Sequence, residues 1–145
     1  MDRKLIIYLD SCCYGRRFDI KTHPKIKVQA DRIMHIIDNR TTGEYAIIGS
    51  FAVTAEMRKI RSAKKLKAIE KFYYSVITSE VNISAQTIAR AMELNLMGLG
   101  KMDSFHLAAA EAAGAGFLLT TDEDFVFKCK NRNLTVVKVI NPLEF

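Results

Sequence analysis

The chain alternates short, unbroken apolar runs with longer stretches of helical spacing, and this alternation restricts its fold more than any other feature. Residues 5–9, Leu-Ile-Ile-Tyr-Leu, carry no charge on either face. A run that is apolar at every position marks a strand buried on both faces, as in a parallel sheet covered by helices. Residues 19–39 place Ile26, Ala30, Ile33, Ile36 and Ile37 at helical spacing, and Pro24 suits an early helical position. After the turn signal Thr41-Thr42-Gly43, residues 45–48 read as a second strand. A helix then enters at residues 50–56 and continues through a basic segment toward Tyr73. Residues 81–83 predict a third strand, and Ser84 caps a helix through Met97 that ends at Gly98-Leu99-Gly100. Asp103 is predicted to cap a helix over residues 104–113, followed by a fourth strand at 117–121, a short helix at 122–130 and a fifth strand at 134–139. Strands alternating with helices imply parallel pairing through right-handed crossovers. The expected architecture is one α/β domain over residues 1–145, a three-layer α/β/α sandwich without repeats or low-complexity segments.

Four acidic residues fall where these strands end or helices begin. Asp10 closes the first apolar run, Asp122 follows Phe117-Leu118-Leu119-Thr120-Thr121, Glu56 follows the run Ala46 to Val53, and Asp103 opens an Ala-rich helix. Residues beyond the carboxyl ends of parallel strands gather along one edge, where ligands bind. Carboxylates gathered there repel one another unless a cation lies between them. Hard oxygen donors of this kind suit Mg²⁺, and a bound metal polarises a phosphoryl oxygen and acidifies water, the chemistry of phosphodiester hydrolysis. Each acid also has a plain structural role open to it. Asp103 and Asp122 can serve as N-caps, Asp10 as a turn residue and Glu56 as an exposed helix acid.

A net charge of +6, with an isoelectric point near 9.3, is compatible with a polyanionic partner. The excess is concentrated at Arg58, Lys59, Arg61, Lys64, Lys65, Lys67 and Lys71, which forms either a phosphate-tracking surface or a solvated helix face. Arg16 and Arg17, soon after Asp10, offer contacts to RNA phosphate or to acids at a dimer surface. Cys12, Cys13 and Cys129 form no disulfide framework and no zinc-ligand spacing. The longest apolar runs are too short for a membrane span or a signal peptide, so a cytoplasmic location is expected. His106, three residues after Asp103, is either a general base or a residue that packs at the helix start and bonds a neighbouring carbonyl. Gly98-Leu99-Gly100-Lys101 lacks the spacing and the following Ser or Thr of a phosphate loop.

The segments Tyr8 to Tyr14, residues 50–56, Met102 to Ala108 and Leu119 to Phe125 together resemble the PIN-domain family, which includes the VapC-type toxins. Tyr8-Leu9-Asp10-Ser11-Cys12-Cys13-Tyr14 resembles the family's opening stretch, with Ser11 in place of the usual Thr. Residues 50–56 resemble the segment carrying the second acid, Met102-Asp103-Ser104-Phe105-His106-Leu107-Ala108 the third motif, and Leu119-Thr120-Thr121-Asp122-Glu123-Asp124-Phe125 the fourth. The last seven residues resemble the family's terminal strand.

The resemblance implies a Mg²⁺- or Mn²⁺-dependent ribonuclease on a five-stranded parallel sheet, leaving a 5′-phosphate and a 3′-hydroxyl. Asp10 and Asp103 would be the direct metal ligands. Glu56 and Asp122 would complete the site, Ser11 and Thr120 would orient the carboxylates, and Asp124 would assist or replace Asp122. Glu44 is the alternative to Glu56. The resemblance also implies an RNA substrate, a homodimer and a cognate antitoxin. Two other readings remain open. One is a non-catalytic PIN-like module that binds RNA or protein through Lys64, Lys65 and Lys67; the other is a receiver-like phosphoacceptor, which the single acid after the first strand disfavours.

Overall fold

The computed structural model describes residues 4–19 and 23–145, so part of the helix expected over residues 19–39 lies outside the described residues. Five parallel strands run β1 Leu5–Leu9, β2 Tyr45–Ser50, β3 Ser79–Val81, β4 Phe117–Leu119 and β5 Lys138–Ile140. Their order across the sheet is β3-β2-β1-β4-β5. β1 is central: Ile7 aligns with Ile47 on one side and Phe117 on the other. Ile7, Tyr8, Leu9, Ile47, Leu118 and Leu119 have essentially no exposed surface, the burial expected of strands covered on both faces.

Among the described residues seven α-helices cover the sheet: α1 Ser11–Gly15, α2 Pro24–Asp38, α3 Phe51–Met57, α4 Ala63–Val76, α5 Ala85–Leu96, α6 Lys101–Ala112 and α7 Glu123–Arg132. Side-chain caps start most of them. Ser50 accepts the amides of Ala52 and Val53, Ser62 that of Lys65, and Ser84 forms a reciprocal capping box with Thr87. Among the described residues, no helix is long and apolar enough to cross a membrane.

The structure departs from the sequence expectation at several places, among them β4, which ends at Leu119 rather than at residue 121. The helix expected to run from residue 50 toward Tyr73 is two helices, because a turn closed by Ile60 N–H on the Met57 carbonyl stops α3 and Ser62 starts α4 afresh. β3 lies two residues earlier than expected, where Ser79 and Val81 pair with Ile48 and Ser50. β5 is confined to the three residues that pair with β4. Asp103 is not an N-cap. Gly98, at φ 101°, ends α5, and the reversal over Leu99 lets α6 begin at Lys101 with Gly100 in the capping position, leaving Asp103 in the first turn.

Candidate metal centre

The chain order reverses between β1 and β4, and the carboxyl ends of these two strands form the crevice where ligands bind in open α/β sheets. Asp10 lies at this point. Its amide extends the ladder to the Leu119 carbonyl at 3.0 Å, which fixes where its side chain leaves the sheet. Oδ1 accepts the Ser11 amide at 2.7 Å, and Oδ2 accepts the Thr120 hydroxyl at 2.7 Å. Thr120 also receives the Asp122 amide at 3.1 Å, so one hydroxyl ties the end of β1 to the start of α7. The Cys12 thiol, 3.7 Å from Oδ2, completes this buried setting. The three cysteines are free, in keeping with their spacing.

Glu56, near the end of α3, reaches the same place. Its Oε1 lies 2.5 Å from His106 Nε2, and that nitrogen is 3.2 Å from Asp10 Oδ1. Asp10, Glu56 and His106 are the one trio among the described residues whose donor atoms lie within 4.8 Å of one another. Glu44 lies in the turn before β2, at the opposite end of that strand from α3 and Glu56. His106 is fully buried, and its Nδ1 is 2.7 Å from the Tyr8 hydroxyl, which is in turn 2.5 Å from Ser50 Oγ. It therefore bonds a carboxylate and a phenol rather than a neighbouring carbonyl. Its spacing of three from Asp103 and the spacing of two between Tyr8 and Asp10 were the available signals, since each puts the pair on one face of its element.

The remaining acids surround this trio. Asp103 is half-buried, and its carboxyl is pushed up to about 7 by burial and by the Asp10 and Asp122 carboxylates. Asp122 is exposed and caps α7 through Oδ1, which accepts the amides of Asp124 and Phe125. Glu56 is held below the usual carboxylate range, chiefly by its hydrogen bond to His106. Burial works against protonation of His106, but the Asp10 carboxylate and the bond to Glu56 outweigh it and raise the imidazole above its ordinary value. A site that pushes the Asp103 carboxyl up in this way is short of positive charge. Its carboxylates offer hard oxygens, which fit Mg²⁺ or Mn²⁺ rather than a thiophilic ion.

The accessory residues sort themselves by partner. Ser11 acts on Asp10 through its amide, and its hydroxyl is 3.4 Å from His106 Nε2. Asp124 is exposed and paired with Lys128 at 3.0 Å. Arg16 turns inward, to Asp19 at 3.0 Å and the Thr121 hydroxyl at 2.7 Å. Arg17 lies over the Phe72 ring at 4.6 Å. Lys64, Lys65 and Lys67 are exposed on α4, and Lys65 is 3.9 Å from Asp19. A groove of about 400 Å³, lined by Lys25, Gln29, Phe127 and Leu143 among others, contains none of the four acids.

A family model described as the PIN domain matches residues 7–130. Three solved structures are similar over nearly their whole length. VapBC2 from Rickettsia felis, bound to a DNA fragment from its promoter, is 18% identical with a TM-score of 0.61, covering 94% of this chain and 98% of that one. Mycobacterium tuberculosis VapC20, described as a sarcin-ricin loop cleaving toxin, is 12% identical with a TM-score of 0.64, covering 91% and 98%. VapBC-1 from nontypeable Haemophilus influenzae is 14% identical with a TM-score of 0.59, covering 96% and 99%. At such identities these likenesses establish the fold. No curated protein matches the chain.

Proposed function

This chain belongs to the PIN-domain family, and on that premise we propose that it is a divalent-metal-dependent endoribonuclease, the toxin of a toxin–antitoxin pair. The observation that carries the reading is the convergence of Asp10 and Glu56 beside a half-buried Asp103 whose carboxyl is pushed up to about 7. Asp10 and Asp103 would hold Mg²⁺ or Mn²⁺, with Glu56 and Asp122 completing the set. When bound, such an ion supplies charge neutralisation at the phosphodiester and an acidified water. The protein's own part is positional. Thr120 and the Ser11 amide fix both oxygens of Asp10, so its carboxylate is aimed before any ligand arrives. The burial around Asp10 lowers the local dielectric and strengthens each interaction made there.

The likeness to VapC20, a toxin that cleaves the sarcin-ricin loop, supports RNA as the substrate class here. Lys64, Lys65, Lys67 and Arg17 are exposed and would track its phosphates, whereas Arg16 is engaged inward. The likeness to VapBC2 and VapBC-1 supports a cognate antitoxin. Exposed apolar side chains along α5, Met92 at 63% and Leu96 at 87%, favour a second copy of this chain as a further partner. We place the protein in the cytoplasm.

The test is cleavage of a mixed pool of labelled RNAs by the purified protein, with Mg²⁺, with Mn²⁺ and with chelator, beside Asp10→Asn. Metal-dependent products that the variant does not form are expected. Salt-sensitive, metal-independent RNA binding without cleavage would instead identify a non-catalytic binding module.

A further inference from the structure

The nuclease reading leaves unused a buried chain of hydrogen bonds behind the acids. It runs from the start of α3 through β1 to α6 and back to Glu56: Ser50 Oγ, Tyr8 Oη, His106, Glu56. Ser50, Tyr8 and His106 have no more than a trace of exposed surface, so water does not compete for these bonds.

The direction of the chain follows from the backbone. Ser50 Oγ already accepts the amides of Ala52 at 3.1 Å and Val53 at 3.4 Å. Its own proton is then free to go to Tyr8 Oη, 2.5 Å away, and the Tyr8 proton goes to His106 Nδ1 at 2.7 Å. With Nδ1 accepting, the ring proton of a neutral imidazole is on Nε2, the nitrogen facing Glu56 at 2.5 Å and Asp10 at 3.2 Å. A doubly protonated ring also carries a proton there. The opposite tautomer would aim the Nε2 lone pair at two carboxylates. Nε2 is therefore a donor whichever protonation state holds.

From this geometry we infer that His106 is a positioning residue: it holds Glu56 against Asp10 before the metal arrives, and Tyr8 and Ser50 lock it in the donating orientation. The inference rests on the metal-dependent reading above. Glu56 is the acid that needs such help. Its side chain is a third exposed, it sits near the end of a short helix, and no Lys or Arg pairs with it within 4 Å among the described residues. Asp10 is held independently by Thr120 and Ser11. One imidazole N–H reaching both carboxylates keeps Glu56 turned inward, where an unheld glutamate would swing to water. Replacing an outer residue that orients a metal-binding carboxylate or imidazole typically costs about 10- to 100-fold in metal affinity.

The test measures Mn²⁺ binding calorimetrically on the full chain and on His106→Leu, His106→Gln and Tyr8→Phe, with thermal melts to confirm folding. His106→Leu should lose about 10- to 100-fold in affinity. His106→Gln, whose amide nitrogen reaches the place of Nε2, should recover most of it, a rescue that mere packing would not produce. Tyr8→Phe, which keeps the ring and removes the brace, should fall between wild type and His106→Leu. Ring ¹⁵N shifts should show His106 protonated at Nε2. In RNA cleavage the His106 variants should lower kcat and leave KM unchanged, since the residue is buried away from substrate. Wild-type affinity in His106→Leu, no rescue by Gln, an unchanged Tyr8→Phe or an unprotonated Nε2 would each overturn the assignment. A wild-type protein that binds no Mn²⁺ would overturn the metal reading beneath it, whereas normal Mn²⁺ binding without cleavage of any RNA would count against the nuclease alone.

Discussion

Replacing Asp103 by Asn should stabilise the metal-free protein at neutral pH, although Asp103 belongs to the proposed site. Its carboxyl is raised from an ordinary 3.8 to about 7, first by burial and then by the Asp10 and Asp122 charges. The native state thus binds this proton more tightly than the unfolded chain does. Between the two values the native state carries more protons, so stability falls as pH rises. The stabilisation from protonated Asp103 is fully present below about pH 4 and is lost as pH climbs through about 7. A shift of this size corresponds to about 4 kcal/mol for a fully shielded group. Asp103 is only half-buried, and screening reduces the expected cost to about 2 kcal/mol. For a chain of 145 residues that is about 6 °C in melting temperature. The assay is a pair of melting series from pH 4 to 8 in chelator. The two proteins should melt together near pH 4, and the variant should lead increasingly up to pH 7. Saturating Mn²⁺ should close or reverse the gap, because the metal then supplies the missing charge to the wild type alone. By the same proton competition, wild-type Mn²⁺ affinity should fall about tenfold for each pH unit below 7. Parallel melting curves across the whole pH range would refute the reasoning.

Gly49→Ala should destabilise the fold by about 3 kcal/mol in urea denaturation, because a Cβ there would meet the Tyr73 hydroxyl and ring, and Tyr73 is fully buried with its hydroxyl bonded to the Ser50 amide. Glu111→Ala should cost about 1–3 kcal/mol with an unchanged m-value, since Glu111 receives Arg90 at 2.7 Å and 3.2 Å and the Thr135 hydroxyl at 2.7 Å, joining α5, α6 and the approach to β5. Lys64→Glu with Lys67→Glu should raise KM for RNA, leave kcat unchanged and reduce the salt slope of binding by about 1.4 if both lysines contact phosphate. An unaltered salt slope would exclude that surface from the RNA track.

The sequence announced elements better than it announced partnerships. The unbroken apolar run of β1 marked a doubly covered strand, and Leu5–Leu9 appears as read. Ser84 and Asp122 were legible as helix starts because a cap and its amides lie within three residues of each other. The break between α3 and α4 was obscured by the continuous run of basic side chains, which carries no periodic signal of its own. The start of α6 was misplaced by three residues because Asp103 is as good a capping residue as any, and only the reversal at Gly98 decides that it does not cap.

The same division runs through the site. The sequence alone placed Asp10 at the end of a strand and Asp122 at the start of a helix, since strand ends, caps and acidic residues are all local facts. Which of them meet was decided by strand order, because placing β1 between β2 and β4 brings together residues far apart in the chain. Tyr8 and His106, separated by 98 positions, touch, and His106 reaches Glu56 across 50. No helical or strand period extends over such distances. Tertiary structure likewise turned Arg16 inward and left Lys64 and Lys67 outside, although all three are simply basic residues in the sequence. Patterning acts through neighbours three or four residues away. A binding site is made where elements converge, and that convergence is a property of the folded sheet.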